Sequence, residues 1–425
     1  MSSPSPRPRT PTEVDTPGRR RASAVGWHVV QTDTAPAPTA PVAGRRAPVW
    51  AAGPAVPASA AWREGDPVGR RQFVDIGDLT LECGVTLPVR VAYETWGELS
   101  PSGDNAVLVL HALTGDSHVT GPAGPGHPTA GWWDSLVGPG RPIDTDRWFV
   151  VAPNVLGGCQ GTTGPASTGP DGRPWGGRFP FVTTRDQVAA EIAVADALGI
   201  DSWALVVGAS MGGMRVLEWA VTAPERVRAL AAIATTAQSS GDQIAWAHPQ
   251  LEAIRSDPGW NGGDYYDLPE GAGPHIGLGI ARQIAHTTYR SPRELDVRFG
   301  RDAQDVEEPL GGGGRYAVQS YLDHHAGKLA RRFDANSYLV LTESMLSHDV
   351  GRGRGGVEEA LGTVTGRALV VAVDTDRLYL PEQSERMAAG LPGCDGMHLI
   401  RSDFGHDGFL IEAEQVGTLV RDFLG

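Results

Sequence analysis

The stretch WALVVGASMGGM, from Trp203 to Met214, constrains the chain more than any other. Leu205-Val206-Val207 and its flanks form a short apolar run rich in β-branched residues, which reads as a buried strand. Gly208 ends the run. From Met211 onward, Met214, Leu217, Trp219 and Ala220 fit a helix better than more strand. Ser210 therefore falls on a turn between strand and helix, bracketed as G-x-S-x-G by Gly208 and Gly212. A turn that tight forces its serine into a strained backbone and tolerates only small neighbours, because the chains around it pack closely. It lifts the hydroxyl clear of the sheet and aims the next N–H, that of Met211, at any anionic oxygen formed there. The plain alternative is a glycine-rich turn with a helix-capping serine. What separates the two is a histidine and a carboxylate later in the chain.

Both are present. Asp374 and Asp376 lie just past the apolar run ALVVAV, and His406 lies past MHLIR in the loop SDFGHDGF. Ser, then Asp, then His, each on a loop after a strand, is the order of an α/β-hydrolase triad. The hydroxyl needs a base near neutral pH, and the imidazole needs a carboxylate to fix its tautomer. Order alone leaves the acid open between Asp374 and Asp376. A tetrahedral oxyanion needs two donors. Met211 supplies one, and Leu113 in HALTGD, the loop after the apolar strand AVLVL, is the candidate for the second.

Short apolar strands near residues 73–76, 79–83, 89–95, 106–110, 148–152 and 227–234 precede or surround the elbow, with a helical pattern from Arg185 to Leu198. Strands alternating with helices imply a mostly parallel sheet flanked by helices, an α/β-hydrolase fold. Residues 61–235 read as the first part of that core and 365–425 as the second. Between them, 236–364 lacks apolar strands and carries helical stretches at 276–284 and 316–329, so it reads as an inserted helical lid. The lid contains two glycine-rich segments expected to be flexible, GGGGR and GRGRGG. Residues 1–60 are dominated by Pro, Ala, Arg, Ser and Thr and are expected to be a disordered extension.

The net charge of −14 argues against nucleic acid as a partner. Cys83, Cys159 and Cys394 are far apart and make no zinc, redox or disulfide spacing, which fits a reducing cytoplasm. No apolar run has the length of a membrane span, and the N-terminal charges precede no apolar core of a secretory signal. GLGIAR has no preceding strand, so it is not a dinucleotide loop. His324-His325 has no metal spacing and reads as structural. No metal or tightly bound cofactor is expected.

The motifs LHALTGDSH, PNVLGGCQGTTGP, VVGASMGGM, GLGIARQIAHTTYR, RFDANSYL, DTDRLYLP and FGHDGF, in this order from about Gln72 onward, resemble the homoserine O-acetyltransferases, in an actinobacterial form. That resemblance implies acetyl transfer from acetyl-CoA to L-homoserine in methionine biosynthesis, by a cytoplasmic homodimer. It places the nucleophile on Ser210, the base on His406 and the acid on Asp376 rather than Asp374. It also places recognition of the amino-acid acceptor on Arg282 and Asp407, a cation for the carboxylate and an anion for the ammonium. Ala209 and Met211 depart from the glycine and phenylalanine of many relatives, small changes at the elbow. Relatives using succinyl-CoA or serine share the fold. HALTGD carries no basic residue for a second carboxylate, which favours acetyl. A plain esterase is a further alternative and would need no Arg282–Asp407 pair. A binding protein on a dead hydrolase scaffold would have no use for an intact Ser, Asp and His.

Overall fold

The computed structural model describes residues 48–52, 55–310 and 314–425. Eight strands form one sheet: β1 (Gln72–Thr80), β2 (Thr86–Trp96), β3 (Ala106–Leu110), β4 (Phe149–Pro153), β5 (Leu205–Ala209), β6 (Ala229–Ile233), β7 (Arg367–Val373) and β8 (Cys394–Ile400). Their spatial order is β1-β2-β4-β3-β5-β6-β7-β8. The first two pairings are antiparallel. All the others are parallel. The expected strands at 73–76 and 79–83 are one strand, because Gly77 bends the chain without ending it and the turn falls at residues 81–85.

β3, β5 and β6 are buried along their whole length. That is why they read as continuous apolar runs rather than as alternations. Their side chains still alternate between faces. Ala106, Leu108 and Leu110 pack with Val188 of α1 (Thr184–Ala197), Leu217 and Trp219 of α2 (Met211–Thr222), and Met387 of a later helix (Pro381–Gly390). Val107 and Val109 face the opposite layer, with Trp133 and with Val416 and Val420 of the C-terminal helix (Ala413–Leu424).

Between β6 and β7 the chain leaves the sheet for six helices: α3 (Gly241–Arg255), α4 (His275–Tyr289), α5 (Pro292–Phe299), α6 (Ala317–Ala330), α7 (Ala335–Leu346) and α8 (Val357–Gly362). Apolar side chains of this insertion, among them Leu251, Leu278, Leu329 and Tyr338, close over Leu113 and Met211. The RFDANSYL motif explains how α7 is held there. The fully buried Asp334 carboxylate accepts from the Tyr265 and Tyr266 hydroxyls (2.7 and 3.0 Å), the Ser59 hydroxyl (2.7 Å) and the Ser337 N–H (2.8 Å). Four donors make a buried carboxylate tolerable.

Two expectations are corrected. Residues 1–47, 53–54 and 311–313 lie outside the described residues, and so do those parts of the expected extension and of GGGGR. Within 48–60, however, Trp50 and Val56 are buried against Ala326 and Ala330 of α6, and Arg331 donates to the Trp50 carbonyl (3.3 Å). Two large apolar side chains give this Pro/Ala-rich stretch a surface to bury, so packing begins within the expected extension. The GRGRGG segment is a pinned turn: Arg354 donates to the buried Glu218 (2.6 Å) and Arg352 to Glu82 (2.6 Å). Among the described residues, no helix is long and apolar enough to cross a membrane.

The chain packs backbone against backbone at the elbow. Ser210 has φ 55° and ψ −124°, left-handed backbone in a non-glycine residue. A Cβ added to Gly212 would collide with the Leu110 carbonyl, and one on Gly208 would come within 2.6 Å of the Gly212 backbone. Gly212→Ala is therefore expected to lower unfolding stability by about 1–3 kcal/mol, measured by chemical denaturation. Wild-type stability in that variant would show that the elbow is looser than this packing implies.

Candidate active site

The loops after β5, β7 and β8 meet at the end of the sheet that the helical insertion covers. Ser210 Oγ lies 3.0 Å from His406 Nε2, and His406 Nδ1 lies 2.7 Å from Asp376 Oδ2. All three residues are buried. Asp376 is itself aimed, since its Oδ1 accepts the N–H groups of Leu378 (2.8 Å) and Tyr379 (3.0 Å). The two aspartates have different partners. Asp374 points the other way and accepts the Ser402 N–H (2.9 Å), tying the β7 loop to the β8 loop. Thr375 completes that tie by donating to the Ser402 carbonyl (2.6 Å) and accepting from the Gly405 N–H (3.0 Å).

Burial by itself would lower the His406 pKa. The Asp376 charge and hydrogen bond, with Asp407 behind them, more than offset it and hold the pKa above the ordinary 6.5. An imidazole with Nδ1–H donated to Asp376 keeps Nε2 free to take a proton from the serine, and the carboxylate stabilises the imidazolium that results.

Met211 is the first residue of α2, so its N–H faces the site from the helix start. Leu113 is buried beside it in one apolar cluster. The HALTGD loop is held from several sides. The His111 Nδ1–H donates to the Ala112 carbonyl (2.8 Å), and its Nε2 accepts the Val155 N–H (3.1 Å). Burial and Arg215 push the His111 pKa down to about 3, which fixes this neutral form. Arg215, fully buried and paired with Glu191 at 2.5 Å, donates to the His111 carbonyl (2.7 Å). From the insertion, Arg332 donates to the Thr114 carbonyl (2.8 Å).

Arg282 and Asp407 line one cavity of about 310 Å³, with Asp116, Lys328 and Arg332. Asp407 is held by Arg290 at 3.2 Å. Burial raises its pKa, opposed by Arg290, His406 and Arg282. The Arg282 guanidinium lies 5.2 Å from the Tyr289 ring centroid, and its Nε is buried without a hydrogen-bond partner. Arg290, Arg332 and Tyr289 stand around this cavity without having been expected there. Arg290 and Tyr289 stand in the quoted IAHTTYR motif, but nothing in the residue pattern said which side chains face inward. His325 also lines this cavity, 4.0 Å ring to ring from His286. Burial, then Arg282, lowers the pKa of both rings, that of His325 to about 3, so both are neutral groups in a cationic wall.

Among the described residues, one group of acid and histidine side chains brings its ligand atoms within 4.8 Å of one another: Glu94, His118 and His127, all buried. The two rings stack 3.9 Å apart at 11°, so one ion cannot lie in both ring planes. His127 Nε2 already accepts the Arg70 N–H (3.0 Å). The arrangement suits a structural network better than a metal: Glu94 pairs with His118 Nδ1 (3.0 Å) and accepts from Ser117 (2.8 Å), anchoring the far end of the HALTGDSH loop.

A family model for the alpha/beta hydrolase fold matches residues 105–413. The homoserine O-acetyltransferase of Thermobifida fusca (strain YX) is 63% identical over 373 residues, covering 87% of this chain and 98% of that protein. Among solved structures, a homoserine O-acetyltransferase from Bacillus anthracis superposes with a TM-score of 0.77 at 27% identity, covering 84% of this chain and 97% of that one. Esterase E22 superposes with a TM-score of 0.76 at 28% identity, covering 84% and 99%.

The geometry separates two variants. Asp376→Asn is expected to lower kcat by about 10³- to 10⁴-fold, as loss of the orienting carboxylate does in triads of this kind. Asp374→Asn is expected to stay within about tenfold of wild type, since its carboxylate serves only a loop contact. The reverse ranking would reassign the acid. The pH profile carries a second test: His406 must be neutral to act as base, so the acid limb of kcat/KM is expected above pH 6.5. An acid limb below that value would mean that Asp376 does not govern the imidazole.

Proposed function

Because the chain belongs to the homoserine O-acetyltransferase family of the α/β-hydrolase fold, we propose that it moves an acetyl group from acetyl-CoA to the hydroxyl of L-homoserine through an acetyl-Ser210 intermediate. The observation that carries this reading is the placement of Arg282 and Asp407 in one cavity, with Asp407 next in sequence to the triad histidine. A carboxylate and an ammonium on one small molecule need that pair of opposite charges, and a simple ester does not.

The geometry supports the following steps. His406 Nε2 takes the Ser210 proton as Oγ bonds to the thioester carbon, and the Met211 and Leu113 N–H groups hold the oxyanion. The C–S bond breaks, and His406 returns the proton to the departing thiolate, giving CoA and acetyl-Ser210. The homoserine hydroxyl then loses its proton to His406 as it bonds to the acetyl carbon. The Oγ–C bond breaks, Ser210 recovers the proton, and O-acetyl-L-homoserine leaves for methionine biosynthesis. Arg282 holds the acceptor's carboxylate and Asp407, braced by Arg290, its ammonium. The helical insertion keeps water from the acyl-enzyme, so that transfer outruns hydrolysis.

Arg282→Ala is expected to raise the homoserine KM about ten- to a hundredfold, the loss of a charge-assisted contact. The burst of CoA from the first half-reaction is expected to stay near normal. Rapid mixing for the burst and steady-state titration of homoserine measure the two halves. A lost burst with an unchanged homoserine KM would place Arg282 on the donor's path instead and remove the acceptor site from this account.

A further inference from the structure

A second, smaller chamber is lined in part by Tyr289, the ring beside Arg282. Its volume is about 50 Å³, and Leu113, Met214, Trp246, Met345, Leu346 and Leu378 supply much of its wall. Tyr289 and Tyr379 complete it toward the triad: their rings lie 5.7 and 5.1 Å from the His406 ring, whose Nε2 is 3.0 Å from Ser210 Oγ. Met214 sits one turn beyond Ser210, its N–H on the Ser210 carbonyl at 3.2 Å. The chamber thus abuts the nucleophile without sharing the charged cavity.

We propose that this chamber receives the acyl group carried on Ser210, and that its neutral lining restricts the donor to short, uncharged acyl groups. The inference rests on the acyl-serine mechanism above. In that mechanism the leaving thiolate and the incoming hydroxyl both exchange a proton with His406 Nε2, so both occupy the same side of the acyl carbon. The oxyanion takes a second direction, toward Met211 and Leu113. The acyl substituent must take the remaining one. The charged cavity holds the amino-acid acceptor, and the apolar chamber is what is left.

Its chemistry fits that role. The wall contains no Lys, Arg, His, Asp or Glu. The two glutamines that reach it are committed. Gln243 donates to the Leu378 carbonyl (2.9 Å), and Gln250 donates to the Trp246 carbonyl (2.8 Å) and accepts from Tyr338 (2.6 Å). Thr342 Oγ1 is buried without a partner, but a hydroxyl cannot balance a carboxylate's charge. Arg377 lies against the Trp246 ring, 5.6 Å from its centroid, and is not part of the lining. A succinyl group would therefore bury an unpaired carboxylate here, whereas an acetyl methyl is satisfied by contact alone. Space for about one water takes roughly 10–15 Å³ by the same kind of measure, so the chamber admits only a few non-hydrogen atoms.

The experiment compares kcat/KM for acetyl-, butyryl- and succinyl-CoA with homoserine as acceptor, in wild type, Trp246→Ala and Leu346→Ala. It runs the same three proteins on p-nitrophenyl acetate and butyrate. Wild type is expected to use succinyl-CoA at least about a hundredfold less well than acetyl-CoA. Each variant is expected to raise the butyryl-to-acetyl ratio about tenfold on both CoA and aryl esters, as two more methylenes find apolar contact. Trp246→Ala, which uncovers Arg377, is expected to gain most on succinyl-CoA. Leu346 lies on a different helix from Trp246, so its variant carries the test independently of how the other folds. Unchanged acyl ratios with a raised homoserine KM would put the acceptor in this chamber and overturn the proposal. Failure of wild type to acetylate homoserine would instead refute the transferase reading, and the aryl-ester ratios would still decide the chamber.

Discussion

The site depends on one close approach of backbone. The end of β3 at Leu110 runs against Gly208 and Gly212, closer than any side chain would allow. That contact does two things at once. It forces Ser210 into left-handed backbone, which projects the hydroxyl from the turn, and it brings the HALTGD loop, which continues β3, beside the first turn of α2. Ser210 and both proposed oxyanion donors are therefore set by the same crossing of chains. The strain is held by the surrounding sheet: the Ser210 N–H is bonded to the Ile233 carbonyl of β6 at 3.0 Å, and Thr235 donates to the Ser210 carbonyl at 2.7 Å.

Around that crossing, buried charge is used to hold loops. Arg215 and Glu191 pair inside the core and reach the His111 carbonyl, and the Trp219 N–H takes the other Glu191 oxygen at 2.8 Å. Glu94 and His118 do the same at the far end of the loop. Such pairs add little net stability, but losing one partner leaves an uncompensated charge, so they fix geometry strongly. The proposed oxyanion role of a loop N–H gains from the loop being fixed in this way.

Much of this was legible in the sequence, for identifiable reasons. The elbow is legible because sterics permit few residue types there. The sheet is legible because β3, β5 and β6 are buried on both faces and so appear as unbroken apolar runs. Asp376 over Asp374 is not legible from order, since two loop aspartates on either side of one threonine look alike until their hydrogen bonds are seen; the family resemblance points to Asp376, and Asp376 is the one that lies 2.7 Å from His406. The insertion was the least legible part. Its helices are placed by contacts distant in sequence, such as Asp334 with Tyr265 and Tyr266, and Trp50 with α6. The chamber under Trp246 has no sequence signature, because its walls come from six separate segments.

The covalent intermediate is the central claim. Intact-protein and peptide mass spectrometry after mixing with acetyl-CoA, in the absence of homoserine, tests it most directly. The account predicts one acetyl group on the peptide containing Ser210, formed together with free CoA, and lost as O-acetylhomoserine when homoserine is added. CoA release that requires both substrates at once, with Ser210 unmodified at every time sampled, would contradict it.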